Sequence, residues 1–288
     1  LVRKPKGRGV GNHAAGGASN DMRSICNNLR LSLQAAFSHA VKAHLSPERM
    51  AHSGKVFAIQ ANPVRDVPSV QGAKRANTES LTPVEMGELL RYLDKLPEPK
   101  RGIANALIYL GGQRMTQLCA VPWDAVTDDT ICLLDSKGRK DQAWEHLLPI
   151  TKRIAEIMAP MVEHHIGDGP FSFSEGTTAS TSTIIKAFSE AGQVLAKAGK
   201  TRLFTYRNVR VTAETLMAHQ GISSEVRAWL LSHGRSGVQA KHYDRYAYLP
   251  EKRAALEQWG RYLDALAKGD KSSSNVVLLT RRQKSDER

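Results

Sequence analysis

The sequence is short of cysteine. Its three, Cys26, Cys119 and Cys132, lie far apart, each inside an apolar pattern. There is no Cys-x-x-Cys pair, which removes the usual zinc-ligand spacing, and three scattered thiols build no disulfide framework. Buried, reduced thiols in a cytoplasmic protein are the better reading. Long hydrophobic runs are missing as well. No apolar stretch approaches the roughly 18 residues of a membrane span. The opening residues, LVRKPKGRGVGN, lack the apolar centre of a secretory signal. Leu1 stands where a start methionine would, so a fragment of a longer protein is expected. No internal repeat is found. Acidic residues are outnumbered, 28 against 41 Lys plus Arg, for a net charge of +13. That excess favours a polyanionic partner: DNA, RNA or an anionic membrane face. It gains weight only where the basic residues gather around a site.

What remains is ordinary material for a soluble globular protein: 41% hydrophobic and 24% charged over 288 residues, enough for two domains or one large one. Residues 1–18 are Gly-rich and basic without an acid, which reads as a flexible arm. Met22, Ile25, Cys26, Leu29, Leu33, Ala36, Phe37, Ala40 and Val41 recur at helical steps and predict a helix over 20–44. Its polar face carries Arg23, Arg30 and Lys42, the candidate DNA contacts of this region. Pro47, Pro63 and Pro68 with several glycines break residues 46–80, and the domain boundary is placed there. Thr82-Pro83-Val84-Glu85 is a capping box with proline at the first helical position. Helices are predicted over 82–95, 101–110 and 115–122. Two apolar runs, TICLLD at 130–135 and WEHLLPI at 144–150, flank the polar loop SKGRKDQA and predict a β-hairpin. Further helices are expected over 151–162, 181–198, 207–218, 223–231 and 250–267. The fold class is therefore mainly α with one small antiparallel hairpin.

One stretch concentrates phosphate-handling side chains around a possible nucleophile. RNVRVTAETLMAHQGISSEVRAWLLSHGRSGVQAKHYDRY holds Arg207 and Arg210, three apart, then His233, then Tyr243. A phosphodiester gains negative charge as an oxygen attacks it, so fixed donors must be aimed at its non-bridging oxygens. Arginine suits the task, being always charged, planar and able to bind phosphate bidentately. Upstream, GGQR supplies Arg114, and the hairpin loop supplies Lys137, 23 residues later, with Arg139 and Lys140 as rivals. Arg210 to His233 is again 23 residues, and Tyr243 follows ten later. Tyr246 and Tyr248 compete with Tyr243 for the role of nucleophile.

This ordered set resembles the tyrosine recombinase (phage integrase) family, whose signature is Arg, Lys, His-x-x-Arg, His or Trp, then Tyr. The likeness runs from about residue 81 to 259. GGQR-xx-QL followed by W-D, DSKG before LPI, TAETL, LLSHG and HYDR look like the prophage and genomic-island branch. The resemblance implies a catalytic domain over 81–268, a partial helical core-binding domain over 19–65, a linker over 66–80 and a C-terminal tail over 269–288. It implies site-specific DNA cleavage and rejoining through a 3′-phosphotyrosyl link, for integration or excision of a mobile element. Arg114 and Arg210 would clamp the phosphate and Lys137 would be the general acid. His233 would bond the phosphate or the tyrosine, and Tyr243 would be the nucleophile. It implies no cofactor and no metal. The partner would be double-stranded DNA, with a homotetramer on two duplexes and a directionality factor or host DNA-bending protein. The setting would be cytoplasmic, at a bacterial nucleoid. A type IB-like topoisomerase and a non-catalytic relative are the alternatives. Two departures stand out. Arg207 occupies the position of the family histidine, and arginine is no general base. Gln117 stands three residues after Arg114, where the family often has an acid, and is expected to orient Arg114 through its amide oxygen.

Overall fold

Helical periodicity accounts for most of the chain. The computed structural model describes residues 22–45, 47, 51, 57–71, 79–135, 143–165, 167–173, 181–232 and 247–270. The chain divides into two compact units, Leu1–Asn77 and Thr78–Arg288.

In the first unit, helix α1 spans Met22–Lys42 and ends in a 3-10 turn, Ala43–Leu45. The helix is the one its apolar spacing predicts, but its covered face is different. Ile25, Leu29 and Leu33 are 51%, 58% and 41% exposed, whereas Asn27 is buried. Polar side chains hold the downstream segment on the helix. The Asn62 amide donates to the Gln34 carbonyl (2.9 Å) and to Ser38 Oγ (2.8 Å). The Val70 amide donates to Asn27 Oδ1 (3.3 Å), and Arg30 donates to the Val67 carbonyl (3.1 Å). Residues that read as a proline-broken linker are thus bonded to α1, because proline forbids regular structure but not attachment through neighbouring backbone groups.

The second unit begins with the expected capping box. Thr82 Oγ1 accepts from the Glu85 amide (3.2 Å), and Glu85 Oε2 accepts from the Thr82 amide (2.8 Å). It starts helix α2, Pro83–Leu93. There follow α3 (Lys100–Tyr109), α4 (Met115–Leu118) and a 3-10 turn at Trp123–Ala125. Strands β1 (Thr130–Asp135) and β2 (Trp144–Pro149) pair antiparallel, in register from Thr130↔Pro149 to Asp135↔Trp144. Then come α5 (Lys152–His164), α6 (Thr181–Lys197), α7 (Tyr206–His219), α8 (Ser224–Leu230) and α9 (Leu249–Lys268). Among the described residues the hairpin is the whole sheet, so the fold is mainly α, as the sequence pattern predicts. No helix of the described residues is long and apolar enough to cross a membrane.

Helix α9 closes the core. Trp259 is fully buried, and its Nε1 donates to the Ile108 carbonyl (2.9 Å). Gly87 lets α2 approach the end of α9: a Cβ there would stand 2.5 Å from the Leu266 carbonyl oxygen. Arg91 donates to the Leu266 and Ala267 carbonyls (3.0 and 2.9 Å), satisfying the last turn of α9 and its dipole. At the other end Lys252, 1% exposed, donates to the Leu147 carbonyl (2.8 Å) and ties α9 to β2. The hairpin is thereby fixed to the helical body. Helix α7 is fixed through the segment that enters the unit: Thr212 Oγ1 accepts from the Leu81 amide (2.7 Å), and the Asn208 amide group donates to the Glu79 carbonyl (3.2 Å).

Glu85 also accepts from the backbone and the Nε of Arg202 (2.8 and 3.1 Å). Burial by itself would raise its pKa, but the hydrogen bonds from Arg202 and Thr82 outweigh burial and hold it below the ordinary glutamate range. The carboxylate's contribution is therefore fully present above the unfolded value of about 4.3 and is lost as pH falls through the lower folded value. Glu85→Gln keeps the capping box but removes the charge facing Arg202, and is expected to lower stability near neutral pH by about 0.5–1 kcal/mol. Urea midpoints of variant and wild type should converge as pH drops below the unfolded value of about 4.3 and through the lower folded one. A gap that stays constant over that range would refute the assignment.

Candidate active site

Strand β1 sends Ile131, Leu133 and Asp135 to one face, and all three are buried. A carboxylate facing inward needs partners to stay charged. Asp135 has two. Arg114 Nη1 donates to Asp135 Oδ2 at 2.8 Å, with side-chain exposures of 21% and 10%. Ser232 Oγ donates to the same oxygen at 2.6 Å, from a residue with φ of 52°. Arg114 caps the start of α4 with an extended backbone. Gln117 is its minor partner: the amide oxygen lies 3.5 Å from Nη1, at the edge of hydrogen-bonding range.

Arg210 reaches the same place from α7. Its Nη1 donates to the Gly112 carbonyl and its Nη2 to the Leu231 carbonyl (3.3 Å). Gly112 has a φ of +79°, a conformation that glycine adopts without strain. Gln113, 1% exposed, donates through Nε2 to the Leu110 and Leu230 carbonyls (2.6 and 2.8 Å). His146, also 1% exposed, has Nε2 3.0 Å from the Leu230 carbonyl. The Tyr206 hydroxyl donates to the Gln113 carbonyl. These contacts fasten the turn before α4, the hairpin, the start of α7 and residues 230–232 into one frame.

The electrostatics follow from that frame. Burial, first of all, presses the Arg210 guanidinium below arginine's ordinary range; Arg114 adds to this, while Tyr206, Glu214 and Asp135 oppose it. Arginine is so strong a base that it stays cationic at neutral pH even so. Two guanidinium groups close enough to repel sit in a partly desolvated place; Asp135 and Glu214 offset part of that repulsion, and an anion between the guanidinium groups relieves it further. Burial also raises the Tyr206 phenol, against the pull of Arg210, so Tyr206 stays protonated as a donor.

Arg114 and Arg210 are thus brought together. Arg207 is exposed, one turn earlier on α7, and its side chain makes no hydrogen bond or ion pair among the described residues. Lys137, Arg139, Lys140, His233, Tyr243 and Tyr246 lie outside the described residues. Tyr248, the other rival nucleophile, is stacked on Trp229 with ring centroids 3.5 Å apart. In the first unit Arg23 and Lys42 are exposed, while Arg30 is bonded to Gln34 (3.1 Å) and Val67. Sequence reasoning missed Asp135, Ser232, Gln113 and His146. The signal for two of them was available. In period-two strands Asp135 falls on the face of Ile131 and Leu133, and His146 on the face of Leu148, so both had to be inward and partnered.

No protein-family model and no curated protein matches this chain. Solved structures do. A lambda integrase dimer bound to a COC′ core site matches over 78% of this chain and 76% of that one, with 19% identity and a TM-score of 0.53. The Tn1549 transposon integrase in complex with circular intermediate DNA matches over 81% and 78%, with 17% identity and a TM-score of 0.52. A lambda integrase tetramer bound to a Holliday junction matches over 78% of this chain but 62% of that one, with 16% identity and a TM-score of 0.54. The chain has the tyrosine recombinase fold. At 16–19% identity the likeness is one of fold. Here that fold carries two partly buried arginines, Arg114 on a turn and Arg210 near a helix start, and Arg210 joins the two segments through backbone carbonyls.

Gly112→Ala tests the frame. A side chain at that φ strains the backbone, and its Cβ would lie 3.0 Å from Ala213 Cβ and 3.3 Å from Arg210 Cα. The expected loss is about 1–3 kcal/mol for the backbone alone, with further loss from crowding. Gly221→Ala is the control, since φ there is +78° with nothing within 4 Å. Denaturant midpoints should fall further for Gly112→Ala than for Gly221→Ala. Equal shifts would mean that the Gly112 contact with α7 is slack.

Proposed function

We propose that this chain is a site-specific DNA recombinase of the integrase type, acting on the DNA of a mobile element. The observation that carries the reading is the convergence of Arg114 and Arg210, two partly buried guanidinium groups that repel each other, on one frame. The order of residues in the sequence supplies the remaining roles. Tyr243 Oη attacks the scissile phosphorus, the bond from phosphorus to the 5′-oxygen breaks, and Lys137 gives that oxygen its proton. The product is a 3′-phosphotyrosyl link and a free 5′-hydroxyl, which attacks in reverse to reseal the strand. The link conserves bond energy, so no ATP is needed. Arg114 and Arg210 bind the non-bridging oxygens as charge develops on them. Their field also favours the phenolate of Tyr243, whose ordinary pKa is about 10. His233 hydrogen-bonds the phosphate or the tyrosine oxygen. Arg207, at the position of the family histidine, adds a phosphate contact and leaves the acceptor of the tyrosine proton to His233 or water.

The net charge of +13 supports double-stranded DNA as the partner. A homotetramer on two duplexes, with a directionality factor or host DNA-bending protein, fits the chemistry, because strand exchange needs four cleavages. The lambda integrase tetramer bound to a Holliday junction is a solved tetramer on this fold. In the proposed organisation residues 19–65 form the DNA-clamping domain and residues 81–268 the catalytic domain. Arg23, Lys42, Arg139 and Lys140 lie along the duplex backbone, and Arg30 divides its donors between Val67 and phosphate.

A suicide duplex nicked beside the crossover point traps the intermediate. Wild type is expected to give a DNA adduct that survives SDS, and Tyr243→Phe none. An adduct in the Tyr243→Phe variant would reassign the nucleophile; absence in wild type would sink the enzymatic reading. Arg210→Ala should cut adduct formation by at least about 10²-fold, the scale of one lost charge-stabilising donor. Salt-sensitive duplex binding should stay mostly intact. Parallel loss of binding and cleavage would make Arg210 a structural residue.

A further inference from the structure

We infer that Asp135 is a positioning residue for Arg114, and that it supplies the fixed charge that Gln117 cannot. The inference rests on the strand-transfer reading above and assigns to that site a side chain from the strand rather than from the arginine's own helix.

Four observations carry it. Asp135 sits on the core-facing side of β1, opposite Trp144 in the ladder, so its backbone is held by the hairpin. Its Oδ2 accepts from Arg114 Nη1 at 2.8 Å, well inside the 3.5 Å of the Gln117 amide oxygen. A charged acceptor at that distance outweighs a neutral one at the limit of range. The contact engages Nη1 alone. Among the described residues Nε and Nη2 of Arg114 make no hydrogen bond, which leaves the edge that takes a phosphate bidentately. Finally, Arg114 and Arg210 repel each other, and Asp135 draws on both. Without an anion in place, two such cations would part; Asp135 keeps them in the geometry the anion needs. Ser232 Oγ, 2.6 Å from the same carboxylate oxygen, fixes the carboxylate's rotation. Ser232 directly precedes His233 in sequence, and Asp135 lies two residues before Lys137.

The arrangement amounts to preorganisation. A long arginine side chain left free samples many rotamers, and a misplacement of about 1 Å at a reacting phosphate costs on the order of 10²-fold in rate. A carboxylate anchored on a strand removes that freedom before the substrate arrives.

The test is single-turnover adduct formation at saturating protein on the nicked suicide duplex. Asp135→Asn keeps the shape and the serine contact but removes the charge. It is expected to slow adduct formation by about 10²-fold, with a thermal midpoint close to wild type. Adding Gln117→Glu to it places a carboxylate beside Arg114 from α4 and should recover about tenfold. The same Gln117→Glu added to Arg114→Ala should recover nothing. Wild-type speed in Asp135→Asn overturns the inference. So does a slow Asp135→Asn that Gln117→Glu fails to improve, which is how a merely structural aspartate would behave. If wild type forms no adduct, the strand-transfer reading fails, and duplex binding then decides the role of Asp135. Loss of Arg114 placement lowers the slope of log affinity against log salt by about 0.9, equals the effect of Arg114→Ala and does not add to it. Removal of an unconnected negative charge would instead tighten binding.

Discussion

A buried carboxylate on a strand and the arginine that neutralises it are the contact on which the proposed centre turns. Asp135 would be out of place on the inner face of β1 without Arg114, and Arg114 would have no fixed direction without Asp135. Desolvation makes the pair demanding: neither charge has enough water to be comfortable alone, so each constrains the other. The pair spans two elements that the chain could otherwise place independently, the turn before α4 and the end of the hairpin. Through Ser232 it extends to a third, the segment after α8. Fixing these relative positions is what turns separate basic residues into a site.

Around the pair stands a frame of side chains held on backbone carbonyls. Arg210, Gln113, His146 and Lys252 reach across to backbone carbonyls of other segments. The arginines thus arrive already desolvated and already oriented, as stabilisation of developing phosphate charge requires. The two guanidinium groups repel each other, and Asp135 and Glu214 offset only part of that repulsion. A site built this way is poised for an anion, and the relative freedom of Arg207, exposed on the first turn of α7, suits a contact made when the anion is present.

Much of the fold was legible before any coordinates. The capping box at Thr82 and Glu85, the hairpin strands 130–135 and 144–150 and the helices around them follow from propensity, period and caps, all of which are local. Arg114 and Arg210 stood out as candidates because phosphate chemistry favours their type, and the structure brings the two together. The face of α1 was not legible in the same way: apolar spacing predicted the helix, yet Asn27, Gln34 and Ser38 are the side that the downstream segment binds. Nor was the partner of Arg114. Helical proximity pointed to Gln117, three residues on, whereas the stronger contact comes from 21 residues away, across the start of the hairpin. Sequence separation hides such a pair unless the strand's alternation is followed to its last residue, where the inward position happens to be an acid.

The carbonyl acceptors have an evolutionary consequence. Leu110, Leu147, Leu230 and Leu231 hold their partners through oxygens that every amino acid carries. Substitution at those four positions changes a side chain and leaves the acceptor where it was. Only one member of each contact can therefore mutate in a way that matters, and paired changes, the usual trace of spatial contact in diverging sequences, have no reason to accumulate. The scaffold of such a centre can drift far in sequence while its geometry stays put, which fits a fold shared at less than one residue in five with the lambda and Tn1549 integrases.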